Sequence, residues 1–387
     1  MSNTKRFLCA LVGLSTSLIA MGQQRDTLTF YSQAFEQERS IYITLPEFHR
    51  FSSGEVEFPV VYVLDAQHDW FAEPIYSDIR YLEYTHEIPQ FIVVEIPLID
   101  RVKECGIKDI DGAVMPLHTF LTEEVQDAIM EYSPGEFRLL IGHSFSASFA
   151  LYSYLKAPEF YSAVFSHSPL DKLGALVSAL ENEPQAKPTE LFISVGSSNR
   201  VKDHHHRSEF ENVAKAHPEF FRQIHSYRAE NATHNAVPII ATPHFFSSLF
   251  LPFSTRFMDI AQVDENYALV NTPSEVEVEM ASIIAAAKLG GVEYPLEIAE
   301  INGMASRYAN SGYDNHAKAL YDYGVHFYPE FFGFHLSLCE YYMEEDPQRA
   351  RQLLETGEKL VERDLSLPDR KELLMEISAF RKDLGWE

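Results

Sequence analysis

Five short apolar runs, separated by segments with helical patterns, constrain the fold of this chain more than any other feature. They are VVYVLD at 60–65, QFIVVEIP at 90–97, FRLLIG at 137–142, SAVFSHSP at 162–169 and LFISVG at 191–196. A continuous apolar run is typical of a strand that is buried on both faces, and alternation of such strands with helices gives parallel βαβ units. The sequence therefore predicts the α/β class, with a mostly parallel sheet that is covered by helices.

Two further stretches extend this predicted sheet. Residues 27–46 contain TLTFYSQAF and SIYITLP, the second with Ile41, Ile43 and Leu45 on one face, which predicts an antiparallel hairpin. The last predicted strand is RQIHSYRAE at 222–230, and the apolar helix AVPIIATPHFFSSLF follows it. In an open sheet of this kind, ligand sites lie at the carboxyl ends of the strands.

The pattern changes near residue 256, where the predicted strands stop and helices remain. A chain of 387 residues is too long for one average domain. Tyr308 and Tyr342 are 34 residues apart, and each precedes a turn signal, a period that suits a tetratricopeptide-like helix pair. A plain helical bundle fits equally well. We predict an α/β-hydrolase domain over 23–255 and a small all-α, tetratricopeptide-like domain over 256–387.

The first 22 residues are expected to be removed from the mature protein. Lys5 and Arg6 precede the apolar run FLCALVGLSTSLIA, and small residues follow it, which is the pattern of a secretory signal peptide. That run is too short to span a bilayer, and the later sequence shows no segment that we expect to span one. We therefore predict an exported protein, periplasmic or secreted, without a membrane span.

Charge and cysteine content exclude several function classes. Loss of the two positive charges of Lys5 and Arg6 would change the formal net charge from −26 to −28. Such an acidic surface repels nucleic-acid phosphates and anionic lipid headgroups, so no nucleic-acid partner is expected. The mature chain would keep only Cys105 and Cys339, which are too few for a disulfide framework and lie in different predicted domains.

The predicted strand that ends at Gly142 continues as Gly142-His143-Ser144-Phe145-Ser146 and then as a predicted helix. A serine between a strand and a helix, with small residues two positions before and after it, is typical of a nucleophile elbow. Ser146 is larger than the glycine usual at the second small position, which weakens the match without excluding the geometry. A helix N-cap is the structural alternative for Ser144.

A nucleophilic serine needs a base, and the base needs an orienting acid, in the chain order serine, acid, histidine for this fold. His234, in the loop NATHNAVP after the last predicted strand, is the predicted base. The loop after LFISVG provides Asp203 as the predicted acid, with Glu209 as the second choice. The consecutive histidines at 204–206 are not expected to bind a metal, because three neighbouring residues cannot all converge on one ion. They are predicted to lie in a solvated loop.

The oxyanion of an acyl-transfer intermediate needs backbone N–H donors. The amide of Phe145, directly after the nucleophile, is the first predicted donor. The second is predicted at Ala66 or Gln67, where the chain leaves the strand VVYVLD. This chemistry requires neither a metal nor an organic cofactor.

Taken together, these segments resemble the esterase family of α/β-hydrolases that is related to feruloyl esterase domains, siderophore trilactone esterases, S-formylglutathione hydrolases and mycolyltransferases. The resemblance covers residues 27–252 and consists of FPVVYVLDAQHDWF, IPQFIVVEIPLIDR, RLLIGHSFSASFALY, FYSAVFSHSPL, LFISVGS and NATHNAVP. It implies that Ser144 is the nucleophile, that His234 is the base and that the loop with Asp203 supplies the acid.

The resemblance also implies two substrate-binding residues and shows some departures. Arg101 occupies the family's Asp-Arg position and would hold an acidic or carbonyl part of the substrate, with a salt bridge to a neighbour as the structural alternative. His143, beside the nucleophile, is also assigned to substrate binding. Ala66 replaces the glycine after Leu-Asp, and Ser146 and Ala147 replace the paired glycines of the elbow. These changes leave room for an inactive descendant.

The predicted function is that of an exported serine hydrolase that cleaves carboxylic esters through an acyl-enzyme intermediate. The expected substrate is a small-molecule ester or an ester attached to an oligosaccharide. Two alternatives stay open: an acyltransferase with the same triad, and an inactive hydrolase-fold protein whose C-terminal helices dock a protein partner.

Overall fold

The computed structural model describes residues 25–182 and 190–386, so the predicted signal peptide lies outside the described residues. The chain forms two compact units. The first, here the sheet unit, comprises Gln23–Pro46 and Glu57–Thr255, and the second, the helical unit, comprises Glu47–Val56 and Arg256–Glu387. The sheet unit ends at Thr255 and the helical unit continues from Arg256, and the short segment Glu47–Val56 also belongs to the helical unit.

Eight strands of the sheet unit form one sheet in the order β1-β2-β4-β3-β5-β6-β7-β8. Their bounds are β1 Arg25–Ser32, β2 Gln37–Thr44, β3 Phe58–Leu64, β4 Ile92–Ile96, β5 Pro134–His143, β6 Ala163–His167, β7 Glu190–Gly196 and β8 His225–Ala229. β1 and β2 form an antiparallel hairpin, β2 pairs antiparallel with β4, and the other neighbours are parallel. The predicted α/β class with a mostly parallel sheet is confirmed.

Helices cover both faces of this sheet, which is why its central strands are apolar without alternation. Every residue of β3, β4 and β6 is buried. The helices are α1 Asp69–Tyr84, α2 Arg101–Cys105, α3 Pro116–Thr119, a π-helical segment Phe120–Val125, α4 Gln126–Ala128, a 3-10 turn Met130–Tyr132, α5 Phe145–Lys156, α6 Leu173–Asn182, α7 Val201–Ala216, α8 Pro218–Gln223 and α9 Val237–Ser254. The parallel strands direct their carboxyl ends, and the loops that follow them, to one edge of the sheet.

The helix α9, Val237–Ser254, is long and apolar enough to cross a membrane by length and composition alone. The sequence prediction of no such segment did not anticipate this. The helix packs against β6, β7 and β8 and against α1, and its buried residues include Val237, Phe245, Phe246 and Phe250. Packing against the sheet therefore explains its buried face, whereas Ile239, Ile240 and Leu251 are exposed.

The helical unit contains a 3-10 turn, six helices and one small hairpin within its described residues. Their bounds are Glu47–Phe51 for the turn, α10 Val276–Ala286, β9 Lys288–Leu289, β10 Val292–Glu293, α11 Ile298–Asn310, α12 Asp314–Phe327, α13 Phe332–Tyr342, α14 Pro347–Arg363 and α15 Arg370–Asp383. The hairpin of β9 and β10 corrects the expectation that strands stop near residue 256. Consecutive helices from α11 to α15 pack against each other as neighbours, and a tetratricopeptide-like assignment stays a prediction.

Both cysteines in the described part of the chain are buried and unbridged. Cys105 lies at the end of α2 in the sheet unit, and Cys339 lies in α13 of the helical unit. The stability of each unit therefore rests on packing and hydrogen bonding.

Candidate active site

Ser144 lies between β5 and α5 in a backbone conformation that few serines adopt. Its φ is 63° and its ψ is −116°, outside the regions that side chains favour, at a cost of about 1 to 3 kcal/mol. Its hydroxyl makes no capping hydrogen bond to the helix. The backbone of Ser144 is nevertheless fixed, because its N–H donates to the carbonyl of His167 at 2.9 Å and its carbonyl accepts from Leu170 at 3.3 Å. Ser144 therefore occupies the N-cap position of α5, but its side chain does not cap the helix.

The tight turn explains the small residue at position 142. A Cβ atom on Gly142 would clash with the carbonyl of Ser146 and would approach the amide nitrogen of Ala147 to 2.9 Å. Glycine is thus required where the first turn of α5 passes over the end of β5. The sequence pattern anticipated this close approach correctly.

Ser146, the departure from the family pattern, is part of a buried hydrogen-bond cluster. Its hydroxyl donates to the Asp65 carboxylate at 2.5 Å and accepts from the backbone N–H of His143 at 2.8 Å. The side chain is fully buried. The extra hydroxymethyl group is accommodated because it joins the carboxylate to the strand end just before the nucleophile.

Asp65 and Arg101 form the centre of this cluster. Arg101 donates from Nε to Asp65 Oδ1 at 2.6 Å and from Nη2 to Asp65 Oδ2 at 3.0 Å, and Nη2 also donates to the carbonyl of His143 at 2.6 Å. Asp65 is 1% exposed and has a φ of 64°. Asp65, Arg101, His143 and Ser146 are called the elbow cluster below. The salt bridge is thus the role that the structure gives to Arg101, and its predicted contact with substrate stays a prediction.

His143 is almost completely buried, at 2% exposure, and its ring stacks on Phe71 with centroids 5.8 Å apart. Its Nε2 donates to the carbonyl of His234 at 3.0 Å, which assigns the proton of the neutral ring to Nε2. Burial lowers the pKa of His143 to about 4, against the raising effect of that hydrogen bond. The ring therefore supports the loop that carries His234, and its predicted contact with substrate stays a prediction.

The predicted base and acid lie together after β8 and β7. Asp203, in the first turn of α7, accepts the backbone N–H of His234 at Oδ1 over 3.2 Å. Its Oδ2 is buried and has no hydrogen-bond partner within the described residues. The contact between these two residues was expected, but it joins the carboxylate to the backbone of His234 and not to its ring.

His206 occupies the position beside the ring of His234. The two Nδ1 atoms are 2.8 Å apart and the ring centroids are 4.2 Å apart. On its other side, the His234 ring packs on the ring of His143, with centroids 4.7 Å apart. Asp203, His206 and His234 are called the histidine cluster below, and its contact with His143 places it directly next to the elbow.

The segment with the three consecutive histidines is a helix, which corrects the predicted solvated loop. Helix α7 begins at Val201, so Asp203 and His206 lie three residues apart on one face. His204 and His205 are exposed, and only His206 turns toward His234. No metal-binding group of histidine, cysteine and carboxylate side chains occurs in the described residues. If the segment is read as a helix, His206 lies three residues after Asp203 and shares its face, which distinguishes it from His204 and His205.

The backbone donors predicted for the oxyanion differ in availability. The N–H of Ala66 donates to the carbonyl of Ile96 at 3.2 Å, so it is engaged in holding the loop. The Gln67 side chain is fixed as well, since its Oε1 accepts the N–H of Leu98 at 2.7 Å. Phe145 is the first residue of α5, so its N–H has no helical acceptor. Of the two candidates for the second donor, Gln67 is the one whose N–H makes no backbone hydrogen bond in the described residues, and the oxyanion role of both Phe145 and Gln67 stays a prediction.

His167 illustrates the other role of histidine in this unit. It is fully buried at the end of β6, where Nδ1 contacts the Ser194 hydroxyl at 2.9 Å and Nε2 contacts the Thr242 hydroxyl at 3.1 Å. Burial lowers its pKa to about 3. Both ring nitrogens have structural partners, so His167 is a core residue.

The fold is shared with solved structures of low sequence identity. One is an uncharacterised protein from Capnocytophaga ochracea DSM 7271, with a TM-score of 0.55 and 18% identity over 92% of this chain and 100% of that chain. Another is an IroE-like serine hydrolase from Shewanella oneidensis, with a TM-score of 0.59 and 16% identity over 78% of this chain and 99% of that chain. No curated protein matches the sequence.

The sequence itself matches the profile of a family described as Putative esterase over residues 32–234, which is more than half of the chain. The matched range includes the whole elbow cluster and ends at His234. This chain therefore belongs to that esterase family.

Proposed function

We propose that this protein is an exported serine hydrolase that cleaves carboxylic esters through an acyl-enzyme intermediate. The observation that carries the proposal is the strained backbone of Ser144 together with a hydroxyl that caps no helix. Strained backbone persists only where the surrounding structure over-determines it, and it is concentrated at functional sites. Here the elbow cluster provides that support.

In this mechanism the Ser144 oxygen attacks the ester carbonyl carbon while His234 accepts the hydroxyl proton. The negative charge moves to the carbonyl oxygen, where the N–H groups of Phe145 and Gln67 stabilise it. Collapse of the intermediate breaks the bond to the alcohol, which leaves with the proton from His234. Water then attacks the acyl-enzyme in the same way, and the acid product is released.

The surrounding residues position these groups. Arg101 holds the Asp65 carboxylate and the His143 carbonyl, and Ser146 donates to the same carboxylate and accepts the N–H of His143, which fixes the backbone immediately before the nucleophile. His143 holds the carbonyl of His234, and this links the two halves of the site. A displacement of about 1 Å in such a site can cost about 100-fold in rate.

Hydrolysis of a short-chain nitrophenyl ester by the mature chain tests the proposal. Ser144→Ala and His234→Ala should each lower kcat by about 10⁴-fold or more, since members of a triad act as a unit. Ser248→Ala, an exposed serine on α9, is the matched control and should keep wild-type activity. A fluorophosphonate probe should label the wild type and not Ser144→Ala. A wild type with neither activity nor labelling would favour the inactive binding-protein alternative.

The acyl acceptor and the location need separate tests. Adding an alcohol during ester cleavage and measuring the ratio of acid to new ester distinguishes a hydrolase from an acyltransferase. Export is proposed from the sequence of residues 1–22. N-terminal sequencing of the protein from periplasmic and culture fractions should find a mature chain that begins near residue 23.

A further inference from the structure

In the expected triad, a carboxylate contacts the ring of the histidine. Around His234, the carboxylate of Asp203 contacts the backbone, and the ring of His206 contacts the ring. We infer that His206 is the positioning residue that orients the ring of His234, while Asp203 positions the backbone of the same residue. The inference rests on the proposed function and assigns the third member of its site. It follows from which atoms of His234 are contacted by which neighbour.

The contact geometry separates the two neighbours. Asp203 approaches His234 at the backbone nitrogen, 3.2 Å from Oδ1. His206 approaches at the ring, with its Nδ1 2.8 Å from the Nδ1 of His234, which is a hydrogen-bond distance. Since Asp203 and His206 lie on one face of α7, a single helix presents both groups to the loop.

The protonation states follow from the chemistry required of His234. A base that accepts the Ser144 proton at Nε2 must carry its own proton on Nδ1. Two nitrogens 2.8 Å apart share one proton, so His206 must accept at Nδ1 and carry its proton on Nε2. The pair thus fixes the tautomer of His234 that the proposed reaction needs.

The surroundings keep His206 neutral. Burial, with a smaller effect from His205, lowers the pKa of His206, although Asp203 opposes this. The titratable groups that face the pair are Asp203, His205 and His143. The Asp203 carboxylate supplies negative charge near His234 when the ring becomes an imidazolium during acyl transfer. Asp203 therefore supplies the negative charge and His206 orients the ring, two roles that one carboxylate performs in a common triad.

Three variants test this division by steady-state hydrolysis of the nitrophenyl ester. His206→Ala removes the acceptor and should lower kcat about 100-fold with little change in KM, less than the roughly 10⁴-fold loss of a triad carboxylate. In His206→Asn, Oδ1 stands in for Nδ1, and the rate should recover to within about tenfold of the wild type. His204→Ala, on the exposed side of the same helix, is the control that should not change kcat.

Asp203→Asn is the variant to compare with His206→Ala. It removes the charge, but its amide oxygen can still accept the N–H of His234. It should lower kcat by less than His206→Ala. The acid limb of the pH profile should reflect the coupled pair in the wild type and a single group in His206→Asn, a change that a purely structural role would not produce. A loss of about 10⁴-fold in Asp203→Asn, with nearly full activity in His206→Ala, would overturn the inference.

Nitrogen-15 NMR of the histidine rings provides a readout that does not depend on turnover. We expect the proton on Nδ1 for His234 and on Nε2 for His206, and His206→Ala should shift the Nδ1 resonance of His234. These tautomers in a protein without esterase activity would support the pairing while the proposed function fails. A proton on Nδ1 of neutral His206 at pH 7 would contradict the pairing, whatever the activity.

Discussion

The two sides of the candidate site are held in different ways. In the elbow cluster, the Asp65 carboxylate accepts from Arg101, Ser146 and the Gln67 side chain, and both of its oxygens are used. In the histidine cluster, Asp203 makes one backbone contact and its Oδ2 has no partner in the described residues. The comparison indicates that the strained nucleophile lies beside a carboxylate with both oxygens bonded, whereas the base lies beside a carboxylate with one bonded oxygen.

The largest effect is expected from removing the guanidinium of the elbow cluster. Arg101→Met leaves the buried Asp65 carboxylate without its ion pair and should lower the free energy of unfolding by about 3 to 5 kcal/mol. Urea unfolding measures this change. The control is Arg222→Met, which breaks an exposed ion pair with Glu219 and should cost at most about 1 kcal/mol. Equal losses in both variants would contradict dense support at the elbow.

A glycine on the histidine side provides the next test. A Cβ on Gly196 would clash with the carbonyl of Ala232 and meet Val237 Cγ2 at 3.1 Å, so Gly196→Ala should displace the loop of His234. We expect kcat/KM to fall about 100-fold, roughly 2.7 kcal/mol. Gly174→Ala, whose Cβ would lie 3.5 Å from Val213, is the control. Unchanged kinetics in Gly196→Ala would show that the base does not depend on this close approach.

Removing the hydroxyl of Ser146 tests how much of the support comes from a single group. Ser146→Ala deletes the bond to the Asp65 carboxylate and should lower the free energy of unfolding by about 2 kcal/mol. Thermal or urea unfolding gives the value, and a double-mutant cycle with Asp65→Asn isolates the pairwise part. A coupling energy near zero would mean that the hydroxyl only fills space.

The smallest effect is a dependence of stability on pH. The pKa values of His143 and His167 are lowered from 6.5 to about 4 and about 3, so the unfolded chain binds protons first as the pH falls. The stabilisation from each neutral histidine is complete above about pH 6.5, the pKa in the unfolded chain. It is lost as the pH falls from there to the pKa in the folded protein, with a slope of about 1.4 kcal/mol per pH unit per histidine. His143→Gln should flatten the slope measured between pH 6.5 and 5 by one histidine's share. An unchanged slope would place the His143 ring in a more polar setting than its burial indicates.

The sequence was most informative where backbone geometry restricts the residue type. The elbow is a local feature, because it consists of Gly142 near the end of β5, the turn at Ser144 and the start of α5. Its pattern could therefore be recognised from a few residues. The sheet was equally accessible, because burial on both faces forces continuous apolar runs in β3, β4 and β6. Long-range pairing of side chains left no such local signature.

The contacts of Ser146 and His206 show why the rest could not be predicted. Ser146 had the appearance of a weakened motif, because its acceptor, Asp65, is 81 residues away in sequence. His206 belongs to a run of three histidines that we expect in a solvated loop, and nothing in that run distinguishes it from its neighbours. Only the position of α7 shows that one of the three histidines faces His234.

The hydroxyl of Ser146 also limits which residues can replace it at this position. It is one of the donors to a buried carboxylate, and Arg101 and the Gln67 side chain provide the others. A glycine at position 146 would match the usual pattern of the elbow but would leave that carboxylate one donor short. The residue that looks like a weakened motif is therefore the harder one to exchange for glycine.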